Sequence, residues 1–385
     1  MRIGIDCTVV GRPQTGFEAY TLSLVTSLLQ LDSDIDFVLF TPKSIPRALA
    51  DLSHRASIVS GPFDTGVLAS QAWLGPAVAL SHLDLMHYPA FPPLLPSSGF
   101  VLTLHDATPW AFRQTMPRGA NLYFRTTVRL WGKRSRVIIT PSEASKTQIV
   151  RHVGVPAGRI RVIKLGVRNF SQGTSVAGDE RGLRRFSLAP GYILFVGTVE
   201  PRKNLALVIR ALALLRANGV RRQFVVAGRL AWGTVELNKL LDEEQLRDAV
   251  VFTDHVSDGE LATFYRQAAF LVQPSIHEGF GLPVVEAMAL GCPVLASDIP
   301  AHREVLGDAG VYFSTKDASA LAKAMARLLA DDPARGAMRL RALVRSEEFT
   351  WVETARHTLA AYRDAIAQRV RGRGATSRRS DIGSN

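Results

Sequence analysis

The stretch Pro274-Ser275-Ile276-His277-Glu278-Gly279-Phe280-Gly281-Leu282-Pro283-Val284-Val285-Glu286-Ala287-Met288-Ala289-Leu290-Gly291 decides how the chain is read. The apolar run 268–272 before it reads as a buried strand, Pro283 marks the first turn of a helix, and Gly291 followed by Pro293 ends that helix. Residues 293–296 then begin the next strand. Strand, glycine turn and helix N-terminus form an anion-binding arrangement, because backbone N–H groups at Gly279, Phe280, Gly281 and Leu282 can face a phosphate with no side chain in the way. Two carboxylates flank the turn, Glu278 on the loop and Glu286 in the helix, and both can face one ligand. Acceptors on either side of a diphosphate suit a sugar at one end and a ribose at the other. Taken by itself, the stretch is better read as an ordinary turn with a glutamate that complements the helix dipole.

The surroundings change that reading. Glu278-Gly-Phe-Gly-Leu-Pro with Glu286, then Gly291-Cys-Pro-Val and Ala296-Ser297-Asp298, resembles the donor-site motif of the retaining glycosyltransferases of family four. Upstream, Phe195-Val196-Gly197-Thr198-Val199-Glu200-Pro201-Arg202-Lys203-Asn204-Leu205 resembles the second donor motif of that family, and weaker resemblance runs from Met1 to about Ala367. The resemblance implies a GT-B fold and a nucleoside-diphosphate sugar as donor substrate, with no metal and no other cofactor. It also implies that Glu286 holds the donor ribose and Glu278 the transferred sugar.

At 385 residues, with 47% hydrophobic and 21% charged residues, the chain fits two soluble domains. Its two cysteines, Cys7 and Cys292, give neither metal-ligand spacing nor a disulfide framework, so a reducing cytoplasm is expected. Asp6 interrupts the first apolar run too early for a signal sequence. The weakly polar stretch 66–80 contains Gln71 and Pro76 and falls short of the roughly 20 residues of a spanning helix, so it reads as a buried helix. The net charge of +12 is partly localised, since no acidic residue lies between Asp106 and Glu143. Arg113, Arg118, Arg125, Arg129, Lys133, Arg134 and Arg136 all fall there, and Arg118, Arg125 and Arg129 share one face of a helix. Such a face is either a solvated surface or a contact for anionic lipid, a diphosphate-linked acceptor or nucleic acid.

In chain order, the strand 2–6 opens on Gly11 and Gly16, after which 17–29 has helical spacing. The resemblance places the donor phosphates and the acceptor near Gly16. Asp32-Ser33-Asp34-Ile35-Asp36 contains the Asp-x-Asp pattern of metal-dependent transferases, but it sits between a helix and the strand 37–40, where short polar residues form turns. Strands are also expected at 84–87 and 100–104, the second ending in His105-Asp106 on the edge where open α/β sheets bind ligands. His105 is expected to donate to a sugar hydroxyl, with Asp106 helping to set its tautomer. The resemblance makes this pair catalytic together with Glu278. After the strand 136–140, Ser142 reads as a helix N-cap with Glu143 in the first turn, and Ser142 or Lys146 as a further contact.

The strand 159–167 leads into the Gly/Ser-rich stretch 169–182, read as the linker. Strands at 192–196, 223–227 and 250–252 alternate with helices at 205–215, 235–246 and 258–268. Alternation in both halves predicts two Rossmann-like lobes with parallel sheets, which the resemblance sets facing across a cleft. The expected organisation is an acceptor domain over 1–168, a donor domain over 183–350, a helix over 351–367 crossing back to the first lobe, and a basic disordered tail over 368–385. Arg202 and Lys203 are expected at the start of a helix, adding their charge to its dipole to bind diphosphate. Thr198 lies beside them. The resemblance places base contacts at Asp254, His255 and Val256.

Three function classes follow. The first is a retaining transferase moving a hexose, mannose from GDP-mannose, to a lipid-linked or polysaccharide acceptor, held peripherally on the anionic cytoplasmic membrane face; a UDP-sugar donor is the alternative. A nicotinamide-dependent oxidoreductase or nucleotide-sugar epimerase requires a Gly-x-Gly-x-x-Gly turn after the first strand, which Gly11 and Gly16 do not supply. A nucleic-acid partner would use the basic face, but no binding motif accompanies it, so none is expected.

Overall fold

In the computed structural model the chain forms two α/β units, Met1–Gly166 with Thr350–Asn385, and Val167–Phe349. All residues are described except 12–15, 32–33, 65–66, 91–95, 97–98, 113–117, 169, 171–181, 232 and 381–385. Most of the expected linker and Asp32 therefore lie outside the described residues.

The first unit is built on seven parallel strands, β1 (Arg2–Asp6), β2 (Asp36–Thr41), β3 (Ser57–Ser60), β4 (Leu85–Tyr88), β5 (Phe100–Thr103), β6 (Val137–Thr140) and β7 (Ile160–Val162), in the order β3-β2-β1-β4-β5-β6-β7. The central strands are buried on both faces, which is why Phe100-Val-Leu-Thr and Val137-Ile-Ile-Thr are almost unbroken apolar runs. β3 carries no such run. Ser-Ile-Val-Ser lies at the sheet edge, half-exposed, where one face needs no apolar side chain. Asp36 heads β2 and pairs with Arg2 at 3.2 Å.

The chain returns to this unit through the helix Trp351–Ser380, whose Ala355, Leu359, Tyr362 and Ala365 are buried. The helix continues beyond Ala367, so residues 368–380, expected as disordered tail, have helical backbone. Arginine and alanine are strong helix formers and extend a helix already nucleated by packing.

The second unit has six parallel strands, β8 (Ile193–Val196), β9 (Phe224–Ala227), β10 (Val250–Asp254), β11 (Phe270–Gln273), β12 (Val294–Ser297) and β13 (Val311–Phe313), ordered β10-β9-β8-β11-β12-β13. Phe195, Phe224, Phe270 and Val272 form a core with Val208, Leu212 and Met325 from the covering helices. Each such side chain contributes about 1.5–3 kcal/mol on full burial. Parallel pairing puts every carboxyl end on one edge, so the loops after β10, β9, β8 and β11 are neighbours in that order. Gly228, at the end of β9, has φ 148°, and a Cβ on it would stand 2.2 Å from the carbonyl oxygen of Gly197. Only glycine lets these two loops touch.

Candidate active site

From β11 the segment 274–277 carries the chain to Glu278, whose Oε1 accepts from Lys203 Nζ at 2.6 Å and from Ser275 Oγ at 2.6 Å. Its Oε2 accepts from Arg202 Nη1 at 3.0 Å. Arg202 also donates to the His277 carbonyl at 2.6 Å and, through Nη2, to Glu200 at 2.5 Å. Burial alone would raise the Glu278 pKa, but Lys203 and Arg202 outweigh it and hold this carboxyl well below the usual carboxylate range. Glu278 is a fixed buried anion.

Arg202 and Lys203 do not open the helix as expected. They lie on a separate 3₁₀ turn, Pro201–Lys203, and Asn204 at φ 57° intervenes before the helix Leu205–Ala217. Asparagine tolerates this left-handed conformation, and its amide donates to the carbonyls of Pro274 at 3.3 Å and Thr315 at 3.0 Å. The helix dipole therefore does not run through the cation pair. An ammonium has three donors, and the bond to Glu278 uses one of those on Lys203.

Beyond Glu278 the chain turns at Gly281, with φ 112°, into the helix Leu282–Ala289, where Pro283 sits in the first turn as expected. No side chain caps that helix. Gly279 is buried, and Phe280 packs edge-on against Phe349 with ring centroids 5.8 Å apart. Glu286 occupies the second turn and is 4% exposed. It accepts from Tyr265 Oη at 2.9 Å and pairs with Arg168 Nε at 3.3 Å, while Arg168 also reaches Asp258 at 2.5 Å. Burial raises the Glu286 pKa, and Arg168 and Tyr265 offset that rise only in part. The two carboxylates thus stand in separate polar clusters with no partner in common among those identified.

Thr198 is exposed beside Gly197. Asp254, at φ 56°, and His255 are exposed at the end of β10, whereas the Val256 side chain is buried. Ser257 then caps the helix Asp258–Gln267 in a reciprocal box with Glu260.

In the first unit His105 follows β5 and is half-buried. Its Nε2 donates to the Pro89 carbonyl at 3.1 Å, which leaves Nδ1 as the acceptor. Phe17 and Tyr20, from the helix Gly16–Gln30, pack edge-to-face on the ring at centroid distances of 5.2 and 4.6 Å. Burial lowers the His105 pKa against the opposing effects of the Pro89 bond and Asp106, so the ring is neutral at physiological pH. Two expectations change here. The ring accepts at its remaining nitrogen instead of donating, and its tautomer is set by Pro89. Asp106 is engaged elsewhere, since its Oδ1 accepts from Thr108 N at 2.8 Å at the start of the short helix Thr108–Ala111. Gly16 is exposed, and a Cβ there would meet nothing within 4 Å.

Behind His105 runs a buried polar chain. Tyr20 Oη lies 3.2 Å from Thr103 Oγ1, which is 2.8 Å from His87 Nε2, and His87 Nδ1 is 2.6 Å from Tyr362 Oη of the last helix. Ser142 is the expected N-cap, accepting from Ser145 N at 2.9 Å, and Lys146 pairs with Glu143 at 3.1 Å.

The basic segment contains the helix Arg118–Gly132. Arg129 donates to the His152 carbonyl at 3.0 Å, at the end of the helix Glu143–Val153, and Arg125 is half-buried. The Arg118 side chain lies outside what is described. Leu122 and Leu130 are exposed on this helix. Among the described residues no helix is long and apolar enough to cross a membrane, and no group of three His, Cys, Asp or Glu side chains is placed to hold a metal ion.

Residues 15–168 match the family model described as Glycosyltransferase Family 4, and residues 183–343 match Glycosyl transferases group 1. The O-antigen chain mannosyltransferase B of Escherichia coli is 31% identical over 265 residues, spanning 68% of this chain and 70% of that protein. Among solved structures, sucrose-phosphate synthase from Thermosynechococcus elongatus aligns with a TM-score of 0.73 at 21% identity, over 96% of this chain and 100% of that one. Anabaena HepE in complex with UDP-glucose aligns with a TM-score of 0.69 at 18% identity, over 97% and 100%. The likeness takes in both parallel sheets, and the architecture is that of the GT-B class.

Proposed function

We propose that this chain, which belongs to the glycosyltransferases and matches the Glycosyltransferase Family 4 and Glycosyl transferases group 1 models in its two halves, transfers a hexose, with retention, from a nucleoside-diphosphate sugar to a lipid-linked or polysaccharide acceptor. The observation that carries this reading is the carboxyl edge of the second sheet. Loops after β10 and β9, the Arg202–Lys203 turn after β8, and the Glu278 turn after β11 follow one another along it, matching base, diphosphate and sugar.

In this reading Glu286 accepts from the ribose, and Lys203 with the backbone of the turn from Gly279 to Leu282 receives the diphosphate. Glu278 serves the transferred sugar. Asp254, His255, Val256 and Thr198 border the nucleotide. In the first lobe, taken by itself, Gly16 and the neutral His105, with Nδ1 as acceptor, are assigned to substrate binding, His105 serving a hydroxyl. During transfer the bond from the anomeric carbon to the diphosphate oxygen breaks, the oxygen keeping the electron pair, and the acceptor oxygen bonds to the same face while its hydroxyl proton passes to the departing diphosphate. Cations and N–H groups already in place stabilise the departing charge without a metal ion, so EDTA leaves turnover intact.

Two donor readings differ in what supports them. A UDP-sugar is favoured by the GT-B structures solved with UDP or UDP-glucose, and GDP-mannose by the mannosyltransferase activity of the Escherichia coli relative. Calorimetric competition between UDP and GDP, followed by turnover and NMR of the product anomer, separates them. Tighter UDP binding with a UDP-hexose as substrate supports the first, and tighter GDP binding with an α-mannoside product the second. Binding of neither nucleotide overturns the donor site.

The basic helix with Arg118, Arg125 and Arg129 is assigned to an anionic membrane at the cytoplasmic face, with exposed Leu122 and Leu130 entering the headgroups. Sedimentation with anionic vesicles that is insensitive to lipid charge and salt removes this assignment.

A further inference from the structure

One buried histidine of the donor lobe has no part in the site as described. His302 lies in the helix Pro300–Leu306 after β12 and is 0% exposed. Its Nδ1 is 3.0 Å from both the carbonyl and the hydroxyl oxygen of Ser297. The Ser297 hydroxyl gives its own proton to the Ser275 carbonyl at 2.5 Å, so the proton shared with Ser297 belongs to Nδ1. That tautomer leaves Nε2 as a bare acceptor. Nε2 is buried and meets no partner.

The free edge of the ring faces the glycine turn. Cδ2, bonded to Nε2, is 3.5 Å from the position a Cβ on Gly281 would take. Glu278 and Lys203 are close enough to act on the charge of the ring, which burial keeps neutral. A second unpaired acceptor belongs to the same cluster. Gln273 is 0% exposed, its Nε2 is 3.5 Å from Glu278 Oε1, and its Oε1 has no partner.

Native interiors seldom leave buried acceptors unpaired, and two around one carboxylate call for a common explanation. Glu278, His302 Nε2 and Gln273 Oε1 are all acceptors. The oxygens of an ionised diphosphate are acceptors too and gain nothing from them, whereas a sugar brings hydroxyl protons. We propose that His302 Nε2 accepts a hydrogen bond from a hydroxyl of the transferred sugar and so helps to select which sugar the enzyme takes. This rests on the nucleotide-sugar reading above and adds to it a residue that discriminates among sugars.

The test uses the full chain, with UDP, GDP, UDP-glucose and GDP-mannose as probes in calorimetry. His302→Phe fills the site without an acceptor, and His302→Gln returns one. The expected result is free-nucleotide affinity within about twofold of wild type in both variants. Nucleotide-sugar affinity falls about tenfold in His302→Phe, the loss of one hydrogen bond, and recovers in part in His302→Gln. Unchanged sugar-nucleotide binding in the folded Phe variant overturns the proposal, as does an equal loss of free nucleotide and nucleotide sugar. Donor analogues lacking one sugar hydroxyl keep the test open should His302→Phe not fold. One analogue must bind wild type more weakly yet show a smaller loss in His302→Gln, whose acceptor restores the bond only in part, and strictly additive losses at every hydroxyl overturn the inference. Wild-type protein that binds no nucleotide sugar overturns the donor-site reading itself, an outcome distinct from a silent His302.

Discussion

Glu278 and Glu286 stand on either side of one glycine turn, both are buried, and burial raises the pKa of both. They end on opposite sides of the ordinary glutamate value. Glu278 faces two cations that are themselves shielded, with side-chain exposures of 9% for Lys203 and 13% for Arg202. Glu286 faces one, Arg168, which is 38% exposed and shared with Asp258. Water screens that second pair and weakens it. Burial therefore does not decide which carboxylate is a fixed anion; the number and shielding of the cations around it does. The fixed anion lies at the sugar end of the proposed site, and the carboxyl that is easier to protonate lies at the ribose end.

The comparison breaks most readily at Glu278. Glu278→Gln leaves Lys203 buried without its counter-charge, and the expected loss of stability is about 3–5 kcal/mol in chemical denaturation, with turnover abolished. A loss under about 1 kcal/mol would show that the cluster does not hold Lys203. Glu286→Gln keeps an acceptor for Tyr265 and removes only a half-screened pair, so about 1 kcal/mol of stability is expected to go. Its larger effect falls on binding, where free-nucleotide affinity drops about tenfold in calorimetry because a charged acceptor of the ribose is lost. Equal nucleotide affinity in wild type and Glu286→Gln would place the ribose elsewhere.

Acid titration sharpens the contrast through its sign. A lowered pKa in the native state stabilises above the ordinary glutamate value and loses that contribution as pH falls. A raised one stabilises most below that value and loses its contribution as pH rises through the shifted pKa. The stability gap between wild type and Glu278→Gln should therefore shrink from pH 7 to pH 3, while the gap to Glu286→Gln should move in favour of wild type. Gaps that move the same way would contradict the contrast.

Much of the fold was legible because both sheets are parallel. Buried strands such as β5, β6, β8 and β11 are short apolar runs between turn residues, and the glycine turn with Pro283 announced its helix. The edge strand β3 was missed because a strand covered on one side needs no such run, and β13 because its run, Val-Tyr-Phe, is only three residues long. At the site, sequence motifs named Glu278, Lys203, Arg202 and Glu286 but not what each one touches. Arg168 follows the last strand of the first half and read as the approach to a linker, and no spacing rule joins it to Glu286 across the sequence. Nor does any rule join His302 to Glu278, since that approach exists only once β11 and β12 lie side by side, while Gln273 approaches it through the way the segment after β11 turns back. His105 was named, but its tautomer depends on Pro89, a carbonyl that no motif points to.

The smallest expected effect on nucleotide binding is at Tyr265, and it tests the ribose end most directly. Tyr265 is fully buried and its hydroxyl donates to Glu286 at 2.9 Å, favouring the ionised carboxylate. Tyr265→Phe keeps the ring and its packing and removes only the donor, so the fold should lose about 1–2 kcal/mol. Without that donor the Glu286 pKa rises further, since burial then faces Arg168 alone. A ribose hydroxyl is held best by the ionised form. Nucleotide affinity in Tyr265→Phe should accordingly fall only a few-fold at alkaline pH and progressively more as pH drops, with the decline starting at a higher pH than in wild type. The same titration of Glu286→Gln should be flat, because no proton remains to be bound there. If Tyr265→Phe weakens binding by the same factor at every pH, the hydroxyl acts on packing and not on the charge of Glu286, and the difference between the two carboxylates has no bearing on the nucleotide.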